Sequence, residues 1–184
     1  MTSILILNYN GKEHVERCLL ALRVFTDAAY ELIVIDNGST DGSQEFLRAA
    51  DAPNMTLVEN PENIGCPPAR AQGMSLAGGD YIVFLDNDTV VTSGWLSRLI
   101  RHCENDPAIG MLGPSTNYIS GPQMIPGVAY ETTPELVSIA ETMALHFEGV
   151  LQPTTRLVGF CMFMRRAVVD AIGCCDPRFG KYGF

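Results

Sequence analysis

Up to about residue 105 the chain alternates short apolar runs with longer stretches carrying an apolar residue every third or fourth position. SILILNY (3–9) has the β-branched, unbroken character of a buried strand, and Val15, Cys18, Leu19, Leu22 and Phe25 then share one helical face. ELIVID (31–36) repeats the strand pattern, and NGSTDGS (37–43) is a turn rich in capping residues ahead of Phe46 and Leu47. MTLVEN (55–60) predicts a third strand. Pro67 and Pro68 suit the first turn of a helix that stops at Gly78–Gly79. YIVFLD (81–86) is a fourth strand, followed by a stripe of Trp95, Leu96, Leu99, Ile100 and Cys103.

Beyond Gly113 the rhythm breaks. Residues 114–131 are rich in Pro, Gly and Ser and predict a long loop over one face. A helix follows, capped by Thr133, with Pro134 in its first turn, Leu136, Ile139, Ala140, Met143 and Phe147 inward, and Gly149 as its stop. RLVGFCMFMRR (156–166) predicts a further strand leading into the short helix AVVDAIG.

Such alternation predicts an α/β fold with a mainly parallel central sheet flanked by helices. Ligands of such sheets bind beyond the carboxyl ends of the strands. Asn8 and Asn10, Asp36 and Asn37, and Asp86 and Asp88 all fall at strand ends and would converge there.

The sharpest chemical signal is the Asp86-Asn87-Asp88 triplet closing an apolar strand. Two like charges at alternate positions repel unless a cation or proton lies between them. A D-x-D alone is most simply a polar turn. At the end of a fully apolar strand it favours a divalent cation, Mg²⁺ or Mn²⁺, held jointly by carboxylates and a diphosphate. FLDNDTVV also has the look of a haloacid-dehalogenase-type phosphatase nucleophile motif. That chemistry needs a later lysine and acidic pair, and downstream of Asp88 only Lys181 and isolated aspartates occur. A dinucleotide fingerprint is missing from NYNGKE (8–13), as is the glycine-rich basic loop of a nucleotidyltransferase.

Composition narrows the field further. The chain is 47% hydrophobic and 18% charged over 184 residues, the profile of one globular domain. A formal charge of -9 argues against nucleic acid as a partner, and it makes a cation more necessary for any phosphorylated ligand. No signal peptide or membrane span is visible, the longest apolar stretch being LVGFCMFM (157–164). The six cysteines show no C-x-x-C spacing and predict buried reduced thiols, hence a cytoplasmic protein.

Taken together, ILNYNG, IVIDNGSTDGS, NPENIG, GDYIVFLDNDT and GFCMFMRR…IGCCDPRFGKYGF resemble a family 2 glycosyltransferase of the GT-A fold, and more loosely its rhamnosyltransferase-like branch. The resemblance implies inverting transfer of a sugar from a nucleoside diphosphate, UDP or dTDP, to a glycan or lipid-linked acceptor hydroxyl. It implies work in cell-surface polysaccharide synthesis, peripheral to the inner membrane face. Asn8 and Asn10 are then expected against the nucleoside, with Asp36 on base and ribose, or else a cap ahead of the next helix, a place Ser39 or Asp41 could also fill. Arg70 is expected to face the nucleotide, or else to be a solvated helix arginine. Asp88 is expected as the direct metal ligand, with Asp86 shared between metal and ribose and Asn87 exposed. ARA (69–71) replaces the family's usual A-R-N and follows an unusual CPP, which leaves the nucleotide preference open. The family's catalytic carboxylate follows a stretch like FGKYGF, so the base is expected after Phe184. Asp176, His146 and Glu148 carry no motif for that role. The expected organisation is one domain with a truncated end: residues 1–113 as the nucleotide-sugar half and 114–184 as the acceptor half. The alternative is a nucleotide-sugar-binding module without turnover.

Overall fold

The computed structural model describes residues 1–173, 175 and 176. A six-stranded sheet runs in the order β3-β2-β1-β4-β6-β5, built from β1 (Thr2–Asn8), β2 (Tyr30–Asp36), β3 (Met55–Glu59), β4 (Tyr81–Asp86), β5 (Met111–Leu112) and β6 (Cys161–Arg165). The pairs β1–β2, β1–β4 and β2–β3 are parallel, whereas β6 runs antiparallel to both β4 and β5. Residues predicted to lie in the acceptor half thus complete the sheet of the other half.

The alternation of side chains along each strand sorts the core into two layers. Ile4, Ile6, Leu32, Val34, Val83, Leu85 and Phe163 face α1 (Lys12–Phe25), α2 (Ser43–Ala49) and α4 (Trp95–Asn105), which contribute Val15, Cys18, Leu22, Leu47, Leu96 and Leu99. On the other side Leu5, Ile33, Ile35, Ile82 and Phe84 pack with Ala69 and Met74 of α3 (Cys66–Leu76) and Val169 of α6 (Arg166–Ile172). Fully burying such aliphatic and aromatic side chains contributes roughly 1.5–3 kcal/mol each. Strands covered on both faces read as continuous apolar runs, which is why the sequence located β1, β2 and β4 within a residue or two.

The later helix differs from expectation. α5 (Thr133–His146) is capped by Thr132, one residue earlier than predicted. Its hydroxyl accepts from Glu135 N at 3.4 Å while Glu135 accepts from Thr132 N at 3.1 Å. The reciprocal bonds require T-x-x-E, a spacing that Thr132 has and Thr133 lacks. None of its residues is buried, and Phe147 and Leu145 are 55% and 79% exposed. The apolar stripe is real, but periodicity does not say what covers it. Arg101 of α4 pairs with Glu148 just beyond the helix.

Cys18, Cys103 and Cys161 are buried free thiols. Burial, with Asp88 and Asp86 nearby, pushes the Cys18 thiol up to about 12. No helix among the described residues is long and apolar enough to cross a membrane.

Candidate functional site

Register places the polar residues side by side. Asn8 pairs with Asp36 across β1–β2, and Leu7 pairs with Asp86 across β1–β4. Three adjacent parallel strands therefore end at one level, and their last residues form a polar floor at the carboxyl edge of the sheet.

Asn8 and Asp36 are each fully buried. Asp36 Oδ1 accepts from Ser39 N at 2.9 Å and Gln44 Nε2 at 3.0 Å, and Oδ2 accepts from Asn8 Nδ2 at 2.9 Å. Burial alone would raise this carboxyl, but hydrogen bonds from Ser39, Asn8 and Gln44 outweigh it and hold the group below its ordinary value. Asp36 thus caps the turn after β2 and not α2 itself, whose N-cap is Gly42 with no side-chain cap. Gly38 makes the turn possible: its φ is +82°, and a Cβ there would lie 2.7 Å from the backbone of Glu62.

Asn10 also sits in the left-handed region, at φ 49°, a conformation that Asn tolerates better than most side chains. It donates N–H to Ser39 Oγ at 2.9 Å and accepts at Oδ1 from Thr40 N at 2.7 Å. Asp41 ties the same two loops together by accepting from Lys12 N and Ser43 N at 2.9 and 3.0 Å. It was legible only as a possible cap. Beside them, Asn60 donates to Asn37 Oδ1 at 3.1 Å, and Asn37 donates to Asn63 Oδ1 at 2.9 Å, fixing the loop that leads into α3. Asn37 stands among the strand-end residues and Asn60 and Asn63 lie in NPENIG, but their bonding to one another is not readable along the chain.

At the β4 end, Arg70 from α3 donates to Asp86 Oδ1 at 3.2 Å and to Gly159 O at 3.3 Å. Its guanidinium lies 5.0 Å from the Phe84 ring centre, within cation–π range. Arg70 is therefore a held residue rather than a solvated one. Burial, with Asp88 adding to it, raises the Asp86 carboxyl above its ordinary value despite Arg70. Asp88 is exposed.

Asn87 departs from its expected exposure. It is half-buried and donates to Asn8 Oδ1 at 2.7 Å. Asn8 needs a donor on that side because its own amide nitrogen is committed to Asp36.

Residues beyond 113 meet this floor through β6 and the loop before it. Phe160 O accepts from Asp86 N at 2.8 Å. Gln123, buried in the long loop, donates to Pro114 O at 2.9 Å and accepts from Val158 N at 2.6 Å. His146 and Glu148 are exposed at and just beyond the end of α5, with His146 Nδ1 3.2 Å from Thr142 O. FGKYGF (179–184) lies outside the described residues.

A mainly parallel sheet with a D-x-D turn at its carboxyl edge and an antiparallel extension beside it is the GT-A arrangement. The mannosyltransferase PcManGT of Pyrobaculum calidifontis, solved with GDP-Man and Mn²⁺, superposes at a TM-score of 0.68 and 20% identity, covering 94% of this chain and 46% of that one. TarS 1–349 of S. aureus in complex with UDP-GlcNAc superposes at 0.68 and 15% identity, covering 92% and 46%.

The glycosyl transferase family 2 pattern matches residues 3–173, and the chain belongs to that family. Glycosyltransferase AglE of Haloferax volcanii is 33% identical over 100 residues, 52% of this chain and 33% of that protein. The N-acetylglucosaminyl-diphospho-decaprenol L-rhamnosyltransferase of Mycobacterium tuberculosis (strain ATCC 25618 / H37Rv) is 24% identical over 203 residues, 97% of this chain and 66% of its relative. The chain thus spans from a third to two thirds of the length of these curated relatives.

Proposed function

We propose that this chain binds a nucleoside-diphosphate sugar at the carboxyl edge of its sheet and serves inverting sugar transfer to an acceptor hydroxyl. The observation that carries the reading is the convergence of Asn8, Asp36 and Asp86 at one level of three parallel strands. The nucleoside lies against the loops after β1 and β2, over Asn8, Asn10 and the turn that Asp36 shapes. The diphosphate lies over the β4 end, toward Asp86, Asp88 and Arg70. Membership of the family and the nucleotide sugars bound by the two structural neighbours support the placement.

A divalent cation fits the residues present. Asp88 is exposed, and the Asp86 side chain is 44% exposed. Both offer the hard oxygens that Mg²⁺ and Mn²⁺ take. Among the described residues no cluster of three such ligands occurs, so Asp88 and Asp86 would hold the ion together with phosphate oxygens and water. When bound, the cation stabilises negative charge gathering on the departing diphosphate. Arg70 adds a fixed positive charge beside Asp86, and the buried amides of Asn8, Asn37 and Asn60 bond to neighbouring side chains of the floor. The proton acceptor is assigned to no described residue. By family resemblance it follows FGKYGF.

UDP and dTDP sugars are the proposed donors, and a glycan or lipid-linked acceptor in cell-surface polysaccharide synthesis the proposed partner. The rhamnosyltransferase relative supports that acceptor class. The test is thermal unfolding with UDP, with and without Mn²⁺. UDP should stabilise the chain only with the ion, and equal stabilisation in excess chelator would refute the shared cation.

A further inference from the structure

We propose that Asn87 is a positioning residue for the donor. Through Asn8 it locks the D-x-D turn to the loops that end β1 and β2, so that the cation end and the nucleoside end of the site are set as one unit. The proposal rests on the donor reading above.

Hydrogen-bond polarity decides which way Asn8 turns. An ionised carboxylate can only accept, so Asp36 obliges Asn8 to turn its amide nitrogen toward it, at 2.9 Å. The same nitrogen reaches Ser39 Oγ at 3.3 Å. Asn8 Oδ1 must then face β4. Asn8 is fully buried, so an unsatisfied oxygen there would bear its whole desolvation penalty. Asn87 Nδ2 supplies the donor at 2.7 Å. An ionised Asp at this position would meet the oxygen as a second acceptor. The triplet that this floor accepts is therefore Asp-Asn-Asp and not three aspartates.

From Asn8 the bonds continue on the nucleoside side. Ser39 donates its N–H to Asp36, Asn10 donates to the Ser39 hydroxyl, and Thr40 donates to Asn10. A displacement of Asn87 thus reaches both loops through the buried Asn8, Asp36 and Ser39, while Asp86 and Asp88 move with the turn that carries it. Gly11 leaves the space this needs: a Cβ built there would collide with Asn87 Nδ2. Gly11 has a negative φ, −127°, so alanine fits its backbone and its Cβ strikes the bond itself, crowding Asn87 Nδ2 and lying 3.1 Å from Asn8 Oδ1.

Asn87→Ala, Asn87→Ser and Gly11→Ala test the idea in two ways. In the unliganded chain, amide hydrogen exchange at Asn10, Ser39 and Thr40 should quicken by about tenfold in both alanine variants, the equivalent of one hydrogen bond. It should quicken less in Asn87→Ser, which keeps a donor, and stay unchanged at Ile33 in the sheet. In excess chelator, Asn87→Ala should weaken uridine binding by about threefold to tenfold, although neither metal nor phosphate is present. Unchanged exchange, a uniform rise across the sheet, or wild-type uridine affinity in Asn87→Ala would each overturn the positioning role alone. A wild-type chain that binds neither uridine nor UDP with Mn²⁺ would overturn the donor reading, and this one with it.

Discussion

Arg70 and Asp86 face each other at 3.2 Å with unequal exposure, the arginine side chain 20% exposed and the aspartate 44%. The guanidinium is pinned from behind by Gly159 O and from below by Phe84. Asp86 is thus turned toward a cation the protein itself provides, while Asp88 looks outward. The two carboxylates of the motif are not equivalent.

That inequality sets the first expectation. Arg70→Ala removes a competitor for Asp86, so Mn²⁺ alone should bind a few-fold more tightly by calorimetry. UDP with Mn²⁺ should bind less tightly, since a fixed positive charge is lost. The unfolding free energy should fall by about 1 kcal/mol, because a half-exposed partner keeps solvent screening.

Asp88→Ala should abolish the Mn²⁺ dependence of UDP stabilisation. In the wild-type chain, UDP at a hundred times its dissociation constant should add roughly 2.7 kcal/mol with the ion present. Differential scanning fluorimetry with and without chelator reads both quantities. Retained ion dependence in Asp88→Ala would transfer the ligand role to Asp86.

Asp36 is expected to govern acid stability. Its folded-state carboxyl lies below the ordinary value of 3.8. Its contribution is therefore fully present above that value and is lost as pH falls through the lowered one. Asp36→Asn should cost about 1–3 kcal/mol near neutrality, the scale of charge-assisted hydrogen bonds to a buried group. It should also flatten the stability profile at the acid end. Urea unfolding across a pH series checks the sign. A variant with the same acid slope as wild type would show that Asp36 does not carry it.

Gln123→Ala should destabilise by about 1–3 kcal/mol, because it strands Pro114 O and Val158 N at a buried junction. Exchange should rise at Val158 first. An effect confined to residues 114–125 would show that the junction does not reach β6.

The sequence resolved the sheet far better than it resolved the floor. β1, β2 and β4 are covered on both sides, and a doubly buried strand is an unbroken apolar run. β5, only Met111 and Leu112, is too short for any period. The D-x-D stood out because charge after an apolar strand is unusual. Asn87 was read as exposed because nothing along the chain reveals that Asn8 offers it an oxygen. That pairing spans 79 positions and exists only because β1 and β4 are neighbours. Asp36 shows the same limit from the other side. Its place at a strand end was legible, but not that its oxygens are engaged within the chain.

β5 ends at Leu112 and β6 begins at Cys161, yet the two strands pair with each other, Leu112 opposite Phe163. Everything between them, α5 included, is an excursion that leaves the sheet and returns to the same edge. The entropy of closing such an excursion grows only with the logarithm of its length. Its exposed part, α5 above all, can therefore be lengthened, shortened or exchanged at small cost, while Gly159 and Phe160 at its end stay tied to Arg70 and Asp86. The polar floor at the carboxyl edge of the sheet keeps its form while that part varies.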